Sequence, residues 1–313
     1  MNMAKKLISI VTPTYNEIDN IDELLRRVRL SIDALPKYEF EILVIDNCSV
    51  DGTQDRLREL AQEDPRIKVI LNARNFGHIR SPYYGILQSQ GEATIYLASD
   101  LQDPPEMIPD LLQEWEAGYK LVMAIKPVSK SSPVMHYLRK SYYRFIDRIS
   151  DVDIIKDSTG FGLYDKVVLD GLREIADPYP FLRGLICELG YEVKEIPFIQ
   201  QRRLGGITKN NFYTLFDIAM LGIVSHSKVP IRIASFVGII LGILSVIVAF
   251  IFLILKFIFW DSFPIGSAPI VIGLFFLFGV QLFFIGILGE YIASIHGYVQ
   301  NRPIVVEKER INF

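Results

Sequence analysis

The sequence predicts an α/β unit built on a mostly parallel sheet with helices on both faces, followed by a C-terminal hairpin of two transmembrane helices. Three observations predict it. Short β-branched runs alternate with amphipathic helical patterns through the first 125 residues, and that alternation implies parallel strands joined by crossover helices. Polar, turn-forming sequence follows three of the strands, where open α/β sheets gather their ligands. After residue 230, two long uncharged apolar runs occur in tandem, each long enough at about 1.5 Å per residue to cross roughly 30 Å of hydrocarbon.

Taken in order, residues 7–12, 40–46, 67–72, 94–98 and 120–125 read as strands, with helices over 18–35, 53–64, 80–90 and 106–117. Beyond residue 127 the pattern loosens. A basic-aromatic helix over 136–149 leads through DSTGFGLYD to a helix over 166–175 and a last strand-like run over 191–197. A Gly- and Arg-rich segment, QRRLGGITKNN, and an amphipathic stretch over 212–224 come next. The expected boundaries are an α/β domain over 1–210 and a juxtamembrane helix over 211–230. Two membrane spans at about 231–259 and 266–291 and a tail over 294–313 complete the chain. Lys228 and Arg232 precede the uncharged run of the first span, residues 233–255, and Arg302, Lys308 and Arg310 follow the second span. The positive-inside rule therefore places the N-terminal domain and both termini in the cytoplasm, against the inner membrane.

Composition narrows the classes. Half the residues are hydrophobic, high for a purely soluble chain, and the formal charge of −3 argues against a nucleic-acid partner. Cys48 and Cys187 lie far apart, so neither a disulfide scaffold nor a metal site built on cysteines is expected. The four histidines have no metal-ligand spacing. The short apolar run near the N-terminus stops at Pro13 and reads as a buried first strand, not a signal peptide.

VTPTYNE, ILVIDNCSVDGT, RNFGH and SDLQDPPE occur in an order and spacing that resembles family 2 glycosyltransferases with the GT-A fold. Within that family the chain looks like the polyprenyl-phosphate glycosyltransferases, the group of dolichol-phosphate mannose synthases and bacterial two-membrane-helix enzymes. The resemblance runs nearly end to end and includes the tail GEYIASIHGYVQNRP. It implies an inverting transfer of a sugar from a nucleotide diphosphate, expected to be UDP-linked, to undecaprenyl phosphate, with Mg²⁺ or Mn²⁺ and with self-association.

The resemblance also assigns residues. Pro13, Tyr15 and Glu17 would line the nucleotide pocket, Asp46 would bind base or ribose, and Asn75, Gly77 and His78 would close over the nucleotide. Asp100 and Gln102 match the later members of the family's Asp-x-Asp-x-Gln metal pattern, Asp100 being both metal ligand and catalytic. Asp157 would be an acid near the acceptor. Arg202, Arg203 and Lys209 would hold the acceptor phosphate, Arg203 and Lys209 matching the family's Arg-x-x-Gly-x-Ser-Lys.

The chain departs from the pattern at Ala98, at Asn47 and Cys48, and at Gly160, where acids or glycine are usual. Fewer carboxylates leave a metal more dependent on substrate phosphates. Asp51 is read equally as a helix cap, and Asp103 as a helix N-terminal residue before Pro104 and Pro105. Three rivals stand beside this reading. They are a membrane glycosyltransferase with another acceptor, a decayed nucleotide-sugar-binding scaffold, and a soluble nucleotidyltransferase if the apolar runs do not span.

Overall fold

The computed structural model describes residues 5–126, 155, 158–175, 177, 180–200, 229–258, 267–300 and 302–313. Four parallel strands form the centre of the sheet: β1 (Lys6–Thr14), β2 (Tyr38–Asp46), β3 (Ile67–Asn72) and β4 (Ala93–Tyr96). Pairings Thr14 with Asp46 and Asp46 with Leu71 align their C-terminal ends along one edge. The helices α1 (Ile18–Asp33), α2 (Thr53–Glu63) and α3 (Gly77–Leu87) connect them. A 3₁₀ turn, Pro105–Met107, then opens α4 (Ile108–Glu116).

Alternation along each strand sends side chains to two cores. Ile8, Ile10, Ile42, Val44 and Ile95 pack against α1, α2 and α4. Val11, Leu43, Ile45 and Ile70 face Tyr83 and Ile86 of α3 on the other side. Helix α1 buries Ile21, Leu24, Leu25, Val28 and Ile32, an i, i+3, i+4 stripe. Each such side chain stabilises by about 1.5–3 kcal/mol relative to exposure. The expected doubly covered parallel sheet is therefore present.

Two parts of the sheet were not anticipated. DSTGFGLYD contributes a strand, β6 (Ser158–Asp165), antiparallel to both β4 and β5 (Leu121–Ile125). Gly160 and Gly162 dilute its β-signal, yet Gly162 is needed, because a Cβ there would sit 2.3 Å from the Val122 carbonyl oxygen. Helices α5 (Lys166–Ile175) and α6 (Leu182–Glu188) and strand β7 (Val193–Pro197) complete that side. The second surprise is the C-terminus. Within the tail expected over 294–313, Glu307–Ile311 forms β8, antiparallel to β3, giving the order β7-β5-β6-β4-β1-β2-β3-β8.

The apolar runs form α7 (Val229–Ile258) and α8 (Ser267–Val299), 30 and 33 residues long. Large side chains such as Phe236, Phe250, Phe276 and Phe283 stand exposed on them. Phe276–Val299 is long and apolar enough to cross a membrane, with a mean hydropathy of 1.8. Helix α8 runs past the expected end at 291. Its last turns dock on the α/β domain, where Tyr298 Oη donates to Asp177 Oδ2 at 3.0 Å.

Candidate active site

At the C-terminal edge of β1, β2 and β3 lies a cleft of about 340 Å³, lined by Pro13, Tyr15, Asn47, Asn75, Gly77 and His78 among others. The loops around it are interlocked. The Asn16 amide N–H donates to Ser49 Oγ at 2.8 Å, and Asn16 Oδ1 accepts from the Val50 amide at 2.9 Å. Asp51 serves two helix starts at once. Its Oδ1 accepts from the Thr53 amide and hydroxyl, and Oδ2 from the Ile18 amide. Asp51 lies one residue before the N-cap of α2, Gly52, so it does not cap that helix itself but ties the first residues of α1 and α2 together.

Of the residues assigned to the nucleotide pocket, Pro13, Tyr15, Asn75, Gly77 and His78 line this cleft. Glu17 and Asp46 stand behind the wall. Glu17 is buried and accepts from Asn20 Nδ2. Asp46 is fully buried, with Ser49 N–H, the Ser49 hydroxyl and Gln54 Nε2 donating to its carboxylate. Burial pushes its pKa up, and the Ser49 and Gln54 bonds oppose that rise.

Asn47, one of the departures from the family pattern, organises the Asn75–His78 loop with every polar atom of its amide. Nδ2 donates to Asn75 Oδ1 at 2.9 Å and to the Gly77 carbonyl at 3.2 Å. Oδ1 accepts from the Phe76 amide at 2.8 Å and from Asn72 Nδ2 at 3.3 Å. An aspartate loses both donors and turns a charge toward two oxygens. If the cleft takes the nucleotide sugar that the resemblance implies, Asn47→Asp is expected to weaken its binding about tenfold, since losing two loop hydrogen bonds costs about 1 kcal/mol or more. Equilibrium titration of the donor checks this; unchanged affinity would reject the role. Its neighbour Cys48 has φ +64°, a left-handed conformation glycine adopts freely, which accounts for the family's usual glycine.

The turn after β4 carries Asp100 and Gln102, neither of which is among the residues lining the cleft. Between them Leu101, at φ +61°, is 1 % exposed and belongs to the main core, so a buried side chain holds a costly backbone turn in place. The Gln102 amide donates to Asp100 Oδ1 at 3.2 Å. Gln200 Nε2 donates to Gln102 Oε1 at 3.1 Å, and Lys126 Nζ to Gln200 Oε1 at 2.8 Å. Asp103 points inward, accepting from the Ala98 amide at 3.0 Å, and burial raises its pKa to about 6. It fastens the turn beside Ala98, and its position before the 3₁₀ turn is secondary to that.

A second compartment of about 140 Å³ adjoins the cleft through His78, Pro82 and Tyr96, and adds Thr159, Gly160 and Arg183. Sequence reading missed Tyr96, Thr159 and Arg183. Gly160 has φ +96°, so an acid in its place is disfavoured by the backbone, while the Tyr96 ring, 3.5 Å from where its Cβ would stand, leaves room for one. Arg183 forms no ion pair among the described residues. Its only sequence signal is a lone arginine opening a short helix, FLRGL. Asp157, Arg202, Arg203 and Lys209 lie outside the described residues, as do the stretches expected to be helical over 136–149 and 212–224.

Residues 9–172 match the family Glycosyl transferase family 2. The chain is 34% identical over 300 residues to an uncharacterized glycosyltransferase, YkcC, of Bacillus subtilis (strain 168), covering 95% of this chain and 92% of that one. It is 31% identical over 306 residues to the SfII prophage-derived bactoprenol glucosyl transferase of Shigella flexneri, covering 96% and 97%. Among solved structures it is similar to S. aureus TarS 1-349 in complex with UDP-GlcNAc, with TM-score 0.44 and 19% identity over 70% of this chain and 67% of that one. A family match over just over half of the chain, joined to relatives above 30% identity along nearly its whole length, makes this protein a member of glycosyl transferase family 2, with the GT-A fold.

Proposed function

We propose that this glycosyltransferase moves a hexosyl group from a UDP-linked sugar to undecaprenyl phosphate at the cytoplasmic membrane face, yielding a polyprenyl-phosphate sugar for envelope glycosylation. The observation that carries the reading is the junction of a nucleotide-sized cleft with a smaller, cation-bearing compartment at one edge of the sheet. The similarity to bactoprenol glucosyl transferases supports the acceptor.

Uracil and ribose occupy the larger cleft between Tyr15 and the Asn75–His78 loop, and the sugar points toward Tyr96 and Arg183. Asp100 and Gln102 offer two hard oxygen donors. Among the described residues no three His, Cys, Asp or Glu side chains cluster. That set fits Mg²⁺ or Mn²⁺ only when the diphosphate completes the coordination, a habit typical of Mg²⁺. The cation would supply charge stabilisation to the departing diphosphate.

The acceptor phosphate, with a second pKa near 6, is already mostly dianionic at neutral pH. Its oxygen attacks the anomeric carbon, the bond to the diphosphate breaks, and configuration inverts. No strong base is required, so positioning dominates. Arg183 meets phosphate oxygens from the compartment side. In the sequence Arg202 and Arg203 follow Gln200, which is bonded to Gln102, by two and three residues, and that proximity in the chain supports their assignment to the acceptor phosphate.

Helices α7 and α8 form the two spans of a hairpin whose ends both return to the cytoplasm, holding the active site where the lipid phosphate emerges. Purified enzyme is to be incubated with short-chain polyprenyl phosphate and a panel of nucleotide sugars, with and without Mg²⁺ or Mn²⁺. A product of the mass of one hexose plus the lipid phosphate is expected. Donor binding with no transfer to any acceptor would favour the scaffold reading instead.

A further inference from the structure

A second cationic cavity, of about 310 Å³, lies away from the donor cleft, where α8 ends. It is lined by Arg74, Arg80 and Arg302 with Gln300, Phe76 and Gly297 among its walls. We propose that it binds a phosphate group, and that the phosphate is the headgroup of an anionic bilayer phospholipid distinct from the glycosyl acceptor.

The arginines are pre-arranged. The guanidinium carbons of Arg74 and Arg80 lie 4.1 and 5.6 Å from the centre of the same Phe76 ring, which is 9 % exposed. Arg80 Nη2 also donates to the Pro303 carbonyl at 2.6 Å, fixing the wall that carries Arg302. Neither Arg74 nor Arg302 forms an ion pair among the described residues. Two planar, permanently charged forks converging on one concavity suit a tetrahedral oxyanion, which guanidinium groups grip bidentately.

Location selects the source. Phe276–Val299 is the segment long and apolar enough to cross a membrane, and Gln300 and Arg302 follow its last turn directly. If that segment spans, the cavity opens at headgroup depth, where basic residues next to a membrane helix attract anionic lipid by about 1 kcal/mol each.

Occupancy reaches the donor cleft by a short path. Phe76 donates its amide to Asn47 Oδ1, and its neighbours Asn75 and Gly77 line the cleft. A lipid phosphate clamped by Arg74 and Arg80 therefore also steadies the loop over the nucleotide; this coupling, unlike the binding itself, rests on the function proposed above.

The experiment uses the full chain in nanodiscs of phosphatidylcholine with or without phosphatidylglycerol, and in neutral detergent with added inorganic phosphate. Retained lipid is measured by native mass spectrometry after release into detergent. Wild-type protein should retain phosphatidylglycerol over phosphatidylcholine, and Arg74→Gln with Arg302→Gln should lower that preference about 10- to 30-fold, the two residues contributing about 1 kcal/mol each. Arg203→Gln should keep the preference, so a failed acceptor assignment leaves this result standing. Both substituted residues are exposed, and an unchanged melting temperature in neutral detergent verifies folding. Equal retention by wild type and the double variant would overturn the proposal. Binding of inorganic phosphate at millimolar concentration without any lipid preference would overturn the lipid source.

Discussion

Asp100→Asn is expected to lower turnover by about 100- to 1000-fold while leaving the fold intact. The substitution is isosteric and keeps an oxygen to accept from the Gln102 amide, now 3.2 Å from Oδ1, so the turn survives. What disappears is charge, and this turn has little to spare. Ala98 occupies the family's first acidic position, and Asp103, 2 % exposed, is turned inward onto the Ala98 amide. Asp100 is then the single carboxylate that this turn brings to the proposed metal site, and neither Ala98 nor the inward-turned Asp103 substitutes for it. Removing a single electrostatic group from a transition-state site costs about 100- to 1000-fold in rate. At a half-buried turn position with its hydrogen bond retained, stability should change by no more than about 0.5 kcal/mol. Initial rates with saturating donor and acceptor measure the first effect, and thermal melting the second. Donor titrations with and without Mn²⁺ separate causes: metal should tighten donor binding to wild type and not to the variant. Turnover within tenfold of wild type would remove Asp100 from the mechanism.

The parts of this molecule that sequence made legible are those where one physical signal dominates. Strands β1 to β4 are runs of Ile and Val bounded by turn residues, and their expected ends differ from the observed ones by at most two residues. That loops at the C-terminal strand ends converge follows from the same logic, but the individual cleft residues Pro13, Tyr15, Asn75, Gly77 and His78 came from the family resemblance. Strand β6 failed that test because its glycines answer to other demands, Gly162 to the Val122 carbonyl and Gly160 to a backbone φ of +96°. Arg183 was hidden for a related reason. The packing of α6 against β6 delivers it to the compartment, and no local pattern records a long-range placement. Asn47 was legible as a departure but not as a cause, since its four partners come from Asn72 and the loop after it.

Ending the chain at Pro303 is expected to cost several kcal/mol and to lower the melting temperature by about 10 °C, although the removed segment reads as an exposed charged tail. The segment closes the sheet. Register pairs Val69 with Ile311, Ile70 with Arg310 and Leu71 with Glu309, and without them β3 becomes an open edge of the kind that recruits other chains. Val305 is 5 % exposed, and its removal uncovers apolar surface. Asn312 Nδ2 donates to the carbonyls of Ala61 at 2.6 Å and Ile67 at 2.9 Å, which cap the α2–β3 connection. Arg58 loses Glu309 at 2.7 Å, and Tyr84 Oη loses Glu307 at 2.9 Å. The ion pair is partly exposed and contributes at most about 1 kcal/mol, but two hydrogen bonds from Asn312 at about 1 kcal/mol each and a buried valine at about 1.5–3 kcal/mol do not depend on salt. A loss of this size corresponds to about 2–4 °C per kcal/mol in a domain of 150–250 residues. Asn312→Ala, which spares the strand, should cost about a third as much and place the loss on the right contacts. Melting of the three proteins in one detergent, with soluble yield as a second reading, checks the expectation. A truncated protein melting within 2 °C of wild type, which is on the order of 1 kcal/mol at this size, would mean that β3 needs no partner on that side. The strand also has a mechanical consequence. Because β8 is covalently continuous with α8 and Arg80 holds Pro303 on the way, α8, which is long and apolar enough to cross a membrane, is anchored to the same sheet that carries Asn47 and the loop it organises. Truncation should therefore impair transfer to a bilayer-embedded acceptor more than binding of the soluble donor, and comparing the two in the same preparation distinguishes lost anchoring from general unfolding.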